Sequence, residues 1–187
     1  MKLKTLTIAA LLGMAATTVQ AVPVQWTTAS GGNGHWYELS STSATWQAAF
    51  SAANSMSYLG MPGYLATITS AEENTFVATL AGAEAWLGGS DEAVEGTWRW
   101  MNGPEAGKAF IFTSWAPNGE PNNTGIGEDY LHTNHAGQFG KWNDYGAPNS
   151  PAISYKYVIE YGVPEPATLS LMGLALAGLA AARRRKQ

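Results

Sequence analysis

An α+β domain with a mainly antiparallel sheet is what this 187-residue sequence predicts, on three observations. Apolar residues recur at helical spacing in the first half, a helix-start signature opens a second such segment, and the second half breaks into short apolar and aromatic runs between turn residues. Helices grouped first and strands later are the pattern of helices packed on an antiparallel sheet.

The first helix rests on Trp46, Ala49, Phe50, Ala53 and Met56, which fall at i, i+3, i+4, i+7 and i+10 behind a Ser/Thr cluster at residues 40–45 that supplies a cap. Residues 63–68 read as a short strand. Ser70-Ala71-Glu72-Glu73 is a capping box, followed by Phe76, Val77 and Leu80 on one side and by Gly82 as a stop. Strands are expected at residues 85–88, 97–100, 130–133, 140–143 and 155–161. The last run alternates, with Tyr155, Tyr157, Ile159 and Tyr161 on one face and Lys156, Val158 and Glu160 on the other. Residues 101–129 hold few apolar runs and many turn residues, and a polar stretch of that length inside a compact domain is usually functional or disordered.

The two ends read as appendages. Residues 1–21 start with Lys2 and Lys4, continue through an apolar run at 6–16 and finish with Val19 and Ala21 at small-residue spacing, the order of a secretory signal peptide cut after Ala21. At the other end, Val163-Pro164-Glu165-Pro166 precedes an apolar run at 167–182 and then Arg183, Arg184, Arg185 and Lys186. Sixteen helical residues reach about 24 Å, slightly short of a hydrocarbon core of about 30 Å, so the span is a marginal membrane anchor. Its basic cluster is expected to stay cytoplasmic, with the preceding domain outside. These three parts in this order resemble the PEP-CTERM sorting signal of Gram-negative bacteria. The resemblance implies insertion in the inner membrane, cleavage near Pro-Glu-Pro by an exosortase, and release to the cell surface or an exopolysaccharide matrix. The central domain is then residues 22–162, and the sorting segment residues 163–187.

Removing the ends changes the charge. The whole chain carries −4, whereas residues 22–162 hold four basic against thirteen acidic groups, a net −9. Nucleic acid is an unsuitable partner for such a surface, because neutralising phosphates requires Lys and Arg. A cation suits it. The absence of cysteine excludes disulfides, thiolate metal sites and a cysteine nucleophile, while eight Trp, eight Tyr and five Phe supply a core without them.

Oxygen ligands cluster in the acidic half: Asp91-Glu92 with Glu95, the stretch from Gly119 to Asp129, and Asn143-Asp144. Carboxylates, amides and backbone carbonyls are the donors of a hard cation such as Ca²⁺, and the near-absence of nitrogen and sulfur donors argues against zinc or copper. The same residues are ordinary turn formers, so a solvated loop is the other reading.

The order Glu120-Pro121-Asn122, Gly127-Glu128-Asp129, Trp142-Asn143-Asp144 resembles the EPN, GED and WND elements of the C-type lectins. Trp86-Leu87-Gly88-Gly89 is similar to the family's WIGL strand, residues 46–68 to its first helix and following strand, and Tyr157-Val158-Ile159-Glu160 to its terminal strand. The resemblance spans residues 35–161 and implies the C-type lectin-like fold. Position by position, it implies a principal Ca²⁺ held by Glu120, Asn122, Glu128, Asn143 and Asp144, with a cis bond before Pro121. The same five residues would bind sugar, since two neighbouring hydroxyls can complete the calcium shell while hydrogen-bonding the carboxylates and amides. The Glu-Pro-Asn order implies sugars with equatorial 3- and 4-hydroxyls: mannose, glucose, fucose or N-acetylglucosamine. An auxiliary Ca²⁺ site would use Asp91, Glu95, Asn123, Glu128 and Asp129; Asn123 stands where the family commonly has aspartate, and Asp91 and Glu95 read equally as surface charges. Domains of this family carry two disulfides, and the aligned positions here, including Ala53, Tyr130 and Ile159, are apolar or aromatic. Trp142 is expected in the core.

Two other functions fit part of this pattern. A glycoside hydrolase would use two of Glu120, Glu128 and Asp144, although carboxylates beside amides suit a metal shell better than an acid/base pair. A calcium-stabilised adhesion or matrix module would keep the fold and bind no sugar. The expectation is a binding protein and not an enzyme. His132 and His135, in a polar region, are expected to face solvent.

Overall fold

The computed structural model describes residues 21–125, 127–148 and 152–162. The expected signal peptide, apart from Ala21, and the expected sorting segment lie outside the described residues. Among the described residues no helix is long and apolar enough to cross a membrane.

Both expected helices form, and local chemistry sets their ends. Helix α1 (Trp46–Ser55) starts where the Thr45 hydroxyl accepts the Ala48 N–H, and it stops one residue before Met56, which turns to extended backbone. Helix α2 (Ala71–Ala81) starts where Ser70 Oγ accepts the Glu73 N–H at 3.1 Å. The Glu73 carboxylate reaches back to the Thr69 N–H and hydroxyl, at 2.6 and 2.8 Å, one residue beyond the usual partner of a capping box. Gly82 ends the helix at φ 64°, a left-handed value that glycine adopts at no steric cost.

Nine strands make the sheet among the described residues: β1 (Val24–Gln25), β2 (Trp36–Leu39), β3 (Ser57–Tyr58), β4 (Met61–Leu65), β5 (Ala85–Ser90), β6 (Arg99–Trp100), β7 (Tyr130–Thr133), β8 (Asn143–Tyr145) and β9 (Lys156–Tyr161). The path runs β1-β2-β9-β5-β7-β8, with β4 also on β9, β3 on β4, and β6 on β5. All pairs are antiparallel except β5 with β9. Strand β9 ties the two halves together. Its end lies between β2 and β4, with Ile159 opposite Glu38 and Leu65, while its start pairs with Ala85 and Trp86 of β5.

The alternation in β9 sorts side chains between two buried clusters. Tyr157, Ile159 and Tyr161 join Trp46, Ala49 and Ala53 of α1, whereas Val158 joins Val77 and Ala81 of α2. Gly63 of β4 lets α1 approach the sheet: a Cβ there would lie 2.8 Å from the Ala53 carbonyl oxygen. Ala53, Tyr130 and Ile159, the positions at which the resemblance implies cysteines in the family, all lie in the α1-side cluster, and the Tyr130 ring stacks on Trp46 with centroids 4.6 Å apart and planes 8° from parallel. Aromatic packing thus covers the ground that cross-links would otherwise hold.

Glu160 is buried together with Glu73, on the Val158 face. It accepts from the Thr67 N–H at 3.0 Å and lies 2.6 Å from His35 Nδ1, while Glu73 accepts from the Tyr37 hydroxyl at 2.7 Å and from the Asn33 amide at 3.0 Å. Each buried carboxylate is satisfied by partners from several elements, the condition for keeping a polar group inside.

Candidate functional site

Trp142 organises the polar half. Its side chain is fully buried, and its indole N–H donates to Asn74 Oδ1 on α2 at 2.7 Å. Phe110, Phe112, Trp115 and Trp100 surround the ring, with centroids 5.6 to 6.2 Å away and planes near perpendicular. The Trp142 carbonyl accepts from Ala116 and its N–H donates to Ser114, each at 2.9 Å. Among its described residues the stretch at 101–129 has no regular element beyond isolated bridges, yet it is pinned by aromatic side chains at its middle. The site hangs from both sides of that pin: residues 118–128 follow Ala116, and Asn143-Asp144 follow Trp142.

Two arms meet there. Asp144 Oδ1 accepts the Asn122 N–H at 3.2 Å and Asp144 Oδ2 the Asn123 N–H at 2.8 Å, joining β8 to the loop. Glu128 Oε2 accepts from the Thr124 N–H and hydroxyl, at 3.0 and 2.8 Å. The Glu120–Pro121 bond is cis, and the Asn122 amide donates to Glu120 Oε2. Asn143 donates its amide N–H groups to the Asp144 carbonyl and toward His132 Nε2 at 3.2 Å, which leaves its carbonyl oxygen as the atom it can offer a cation. Glu120, Asn122, Thr124, Glu128 and Asn143 line one part of a cleft of about 260 Å³, and Glu84, His132, His135, Tyr145 and Tyr155 line the other.

The charges in the first part do not cancel. Burial, then the neighbouring Asp144 and, more weakly, Glu128 hold the Glu120 carboxyl above its ordinary range, against a smaller opposing effect of His135. Among the described residues no Lys or Arg forms an ion pair with these acids. Carboxylate and amide oxygens from two arms, with negative charge in excess, fit a hard divalent cation by donor chemistry.

The residues named for an auxiliary site separate into two groups. Carboxylate oxygens of Asp91, Glu95 and Asp129 lie within 4.8 Å of one another, and burial pushes the Asp91 carboxyl up to about 6. Asn123 and Glu128 belong to the other arm, where Asn123 Oδ1 accepts the Glu128 N–H at 2.8 Å. Asn123 has φ 47°, a left-handed conformation that asparagine tolerates better than most residues.

His132 does not face solvent. It is 1% exposed, because β7 is an inner strand flanked by β5 and β8, and its ring stacks on Tyr155 at 5.2 Å. Burial pushes its imidazole down to about 3, leaving it neutral. His135 is partly buried, with its Nε2 3.9 Å from Glu120 Oε1. Sequence reasoning missed Glu84, Tyr145 and Tyr155 as lining residues; the alternation in residues 155–161 put Tyr155 on a defined face, but nothing local brought that face to this cleft.

Residues 42–152 match the Lectin C-type domain family. The chain belongs to the C-type lectin domain family. Residues 162–186 match the PEP-CTERM protein-sorting motif. This C-type lectin domain is similar to CEL-I from Cucumaria echinata, with a TM-score of 0.56, 28% identity, and coverage of 69% of this chain and 90% of that one. It is 33% identical over 131 residues to the alpha-N-acetylgalactosamine-specific lectin of Patiria pectinifera, covering 66% of this chain and 73% of that protein. It is also 35% identical over 139 residues to halomucin of Haloquadratum walsbyi, covering 70% of this chain. The chain spans 1% of the length of halomucin, 20% of C-type lectin domain family 4 member F of Mus musculus and 38% of the hepatic lectin of Gallus gallus.

Proposed function

We propose that the chain is an exported, calcium-dependent carbohydrate-binding protein. One observation carries the reading: the oxygen donors of Glu120, Asn122 and Glu128 from one loop and of Asn143 from β8 line one cleft, buried Asp144 of β8 is tied to the same loop through two backbone N–H groups, and among the described residues no Lys or Arg pairs with these acids. Ca²⁺ would be held by these five residues and would supply open coordination positions for two vicinal sugar hydroxyls. The carboxylates would accept the hydroxyl protons, and amide N–H groups would donate to the hydroxyl oxygens. The Glu-Pro-Asn order supports glycans of the mannose, glucose, fucose or N-acetylglucosamine type, while the name of the Patiria pectinifera relative makes N-acetylgalactosamine the informative competitor. Asp91, Glu95 and Asp129 would form the nucleus of an auxiliary calcium site, with Glu128 and Asn123 as its further ligands.

The sorting motif supports the domain plan: signal peptide at 1–21, lectin domain at 22–162 and sorting segment at 163–187, the last processed by an exosortase at the inner membrane. The product would act at the cell surface or in an exopolysaccharide matrix and catalyse no reaction. The test is a glycan array probed with the purified chain in calcium and again in chelator. Binding to glycans with equatorial 3- and 4-hydroxyls that disappears on chelation is expected. Binding that ignores chelator overturns the calcium bridge, and absence of any glycan binding favours an adhesion or matrix module.

A further inference from the structure

Beside the oxygen-rich cluster, the same cleft carries a second constellation of different chemistry. One ligand atom each from Glu84, His132 and His135 lie within 4.8 Å of one another. The three come from separate parts of the chain: Glu84 from the turn after α2, His132 from β7, and His135 from a 3₁₀ turn at His135–Gly137. That turn is built rigidly. Asn134, at φ 58°, donates its amide to the Ala78 and Ala83 carbonyls at 3.0 and 3.1 Å and accepts the Gly140 N–H at 2.8 Å. The Ala136 N–H then holds Glu84 Oε1 at 3.1 Å.

Packing alone leaves two ring nitrogens unexplained. Nδ1 of His132 and Nδ1 of His135 are both buried, and neither has a hydrogen-bond partner. A buried nitrogen without a partner costs the desolvation of that group, so its retention calls for a ligand. The rings also face each other edge to plane, with centroids 5.6 Å apart.

We propose that Glu84, His132 and His135 form a second divalent-cation site, specific for zinc-class ions and distinct from the oxygen-rich calcium-type cluster. Two imidazoles and one carboxylate match the donor set of zinc, copper and nickel, whereas calcium takes oxygens almost exclusively. Zinc binds such donors at about 2.0 to 2.2 Å in tetrahedral geometry, so a small side-chain rotation closes the three atoms onto one ion. Three protein ligands leave a fourth coordination position for water or an added ligand.

The proton accounting couples this site to its neighbour. With the Asn143 amide donating to His132 Nε2, the neutral ring carries its one proton on Nδ1. For Nδ1 to bind the ion, that proton passes to Nε2 and the Asn143 amide N–H turns away from it while keeping its bond to the Asp144 carbonyl. Asn143 is also a candidate ligand of the calcium-type cluster, so the zinc measurement belongs in calcium-free protein.

Zinc alone is titrated calorimetrically into the full chain stripped of metal by chelator and dialysed. One equivalent is expected to bind. Glu84→Gln and His135→Gln, both at partly exposed positions, are each expected to weaken it about ten-fold or more, with unchanged near-ultraviolet circular dichroism. Cu²⁺ substituted into the wild-type chain is expected to show magnetic coupling to two imidazole nitrogens. Absence of zinc binding, zinc binding that both substitutions leave intact, or a copper spectrum without imidazole nitrogen overturns the proposal. Glycan binding enters none of these measurements, so the site stands or falls apart from the lectin reading.

Discussion

Asp144 Oδ2 accepts the backbone N–H of Asn123 at 2.8 Å, and the other oxygen of the same carboxylate accepts the N–H of Asn122 at 3.2 Å. A candidate ligand on a strand thus holds in place the loop that carries the other candidate ligands. Asp144 is 1% exposed, so its carboxylate oxygens have no ready substitute in water for these two donors. Asp144→Asn retains one acceptor oxygen and turns an N–H group toward a donor. A loss of about 1 to 3 kcal/mol in unfolding free energy is expected without any metal present, together with weaker calcium binding. Urea unfolding in chelator, followed by calcium calorimetry, checks both parts.

Glu120 offers the opposite sign. Its carboxyl is pushed up by burial and by Asp144 and Glu128, so its charge is a burden when no cation is bound. Glu120→Gln is expected to leave the calcium-free protein as stable as the wild type or more so, while abolishing the increment calcium supplies. For the wild type that increment is about 2.7 kcal/mol when free calcium is a hundred times its dissociation constant. Thermal melts of both proteins with calcium and with chelator decide it; an equal calcium increment in the two would remove Glu120 from the ligand set.

Tyr130 stacks flat on Trp46 in a chain that has no cysteine. Truncating a buried aromatic side chain to alanine typically costs about 3 to 5 kcal/mol. Tyr130→Ala is expected to fall in that range, and Tyr130→Phe well below it, since the ring remains and only the hydroxyl contacts with Gln47 and Glu92 are lost. Chemical denaturation of the two variants separates ring packing from hydroxyl bonding.

The pair of half-buried His35 and buried Glu160 makes stability depend on pH. The hydrogen bond to Glu160 holds the His35 imidazole above its ordinary value of 6.5, against the opposing effect of burial. The folded chain therefore keeps this proton to higher pH than the unfolded chain. The resulting stabilisation is complete below pH 6.5 and fades as pH rises through the folded value. Glu73, raised chiefly by burial and then by Glu160, acts in the same direction from its ordinary 4.5 upward. Melting temperature is expected to fall from mildly acid to mildly alkaline buffer in the wild type, with a shallower fall in His35→Gln. Parallel profiles would show that the pair does not titrate with folding.

The helices and the ligand types were readable along the chain because their causes are local. Thr45, Ser70 and Gly82 act on residues within one turn of themselves, so the limits of α1 and α2 fall within one residue of where their caps place them. The order of Glu120, Asn122, Glu128, Asn143 and Asp144 likewise marked candidate donors along the chain, four of which the structure brings to one cleft with Asp144 bonded to the same loop. Strand limits were less readable, since a strand ends where its partner does. The run expected at 140–143 becomes β8 at Asn143–Tyr145, because Gly140 turns at φ 66° and Trp142 bridges Trp115 instead of joining the ladder.

Burial of charge and convergence of distant groups belonged to the tertiary structure alone. Glu160 alternates as a solvent-facing residue would, yet α2 brings Glu73, and β2 brings Tyr37, over that face of the sheet. His132 sits among polar neighbours in sequence but on an inner strand in space, and Glu84 reaches it only because Asn134 folds the following turn back toward α2. The chain by itself determined which donors this protein owns. Which of them share a cleft was decided by strand pairing and the packing around Trp142, contacts between residues far apart in sequence that no local pattern encodes.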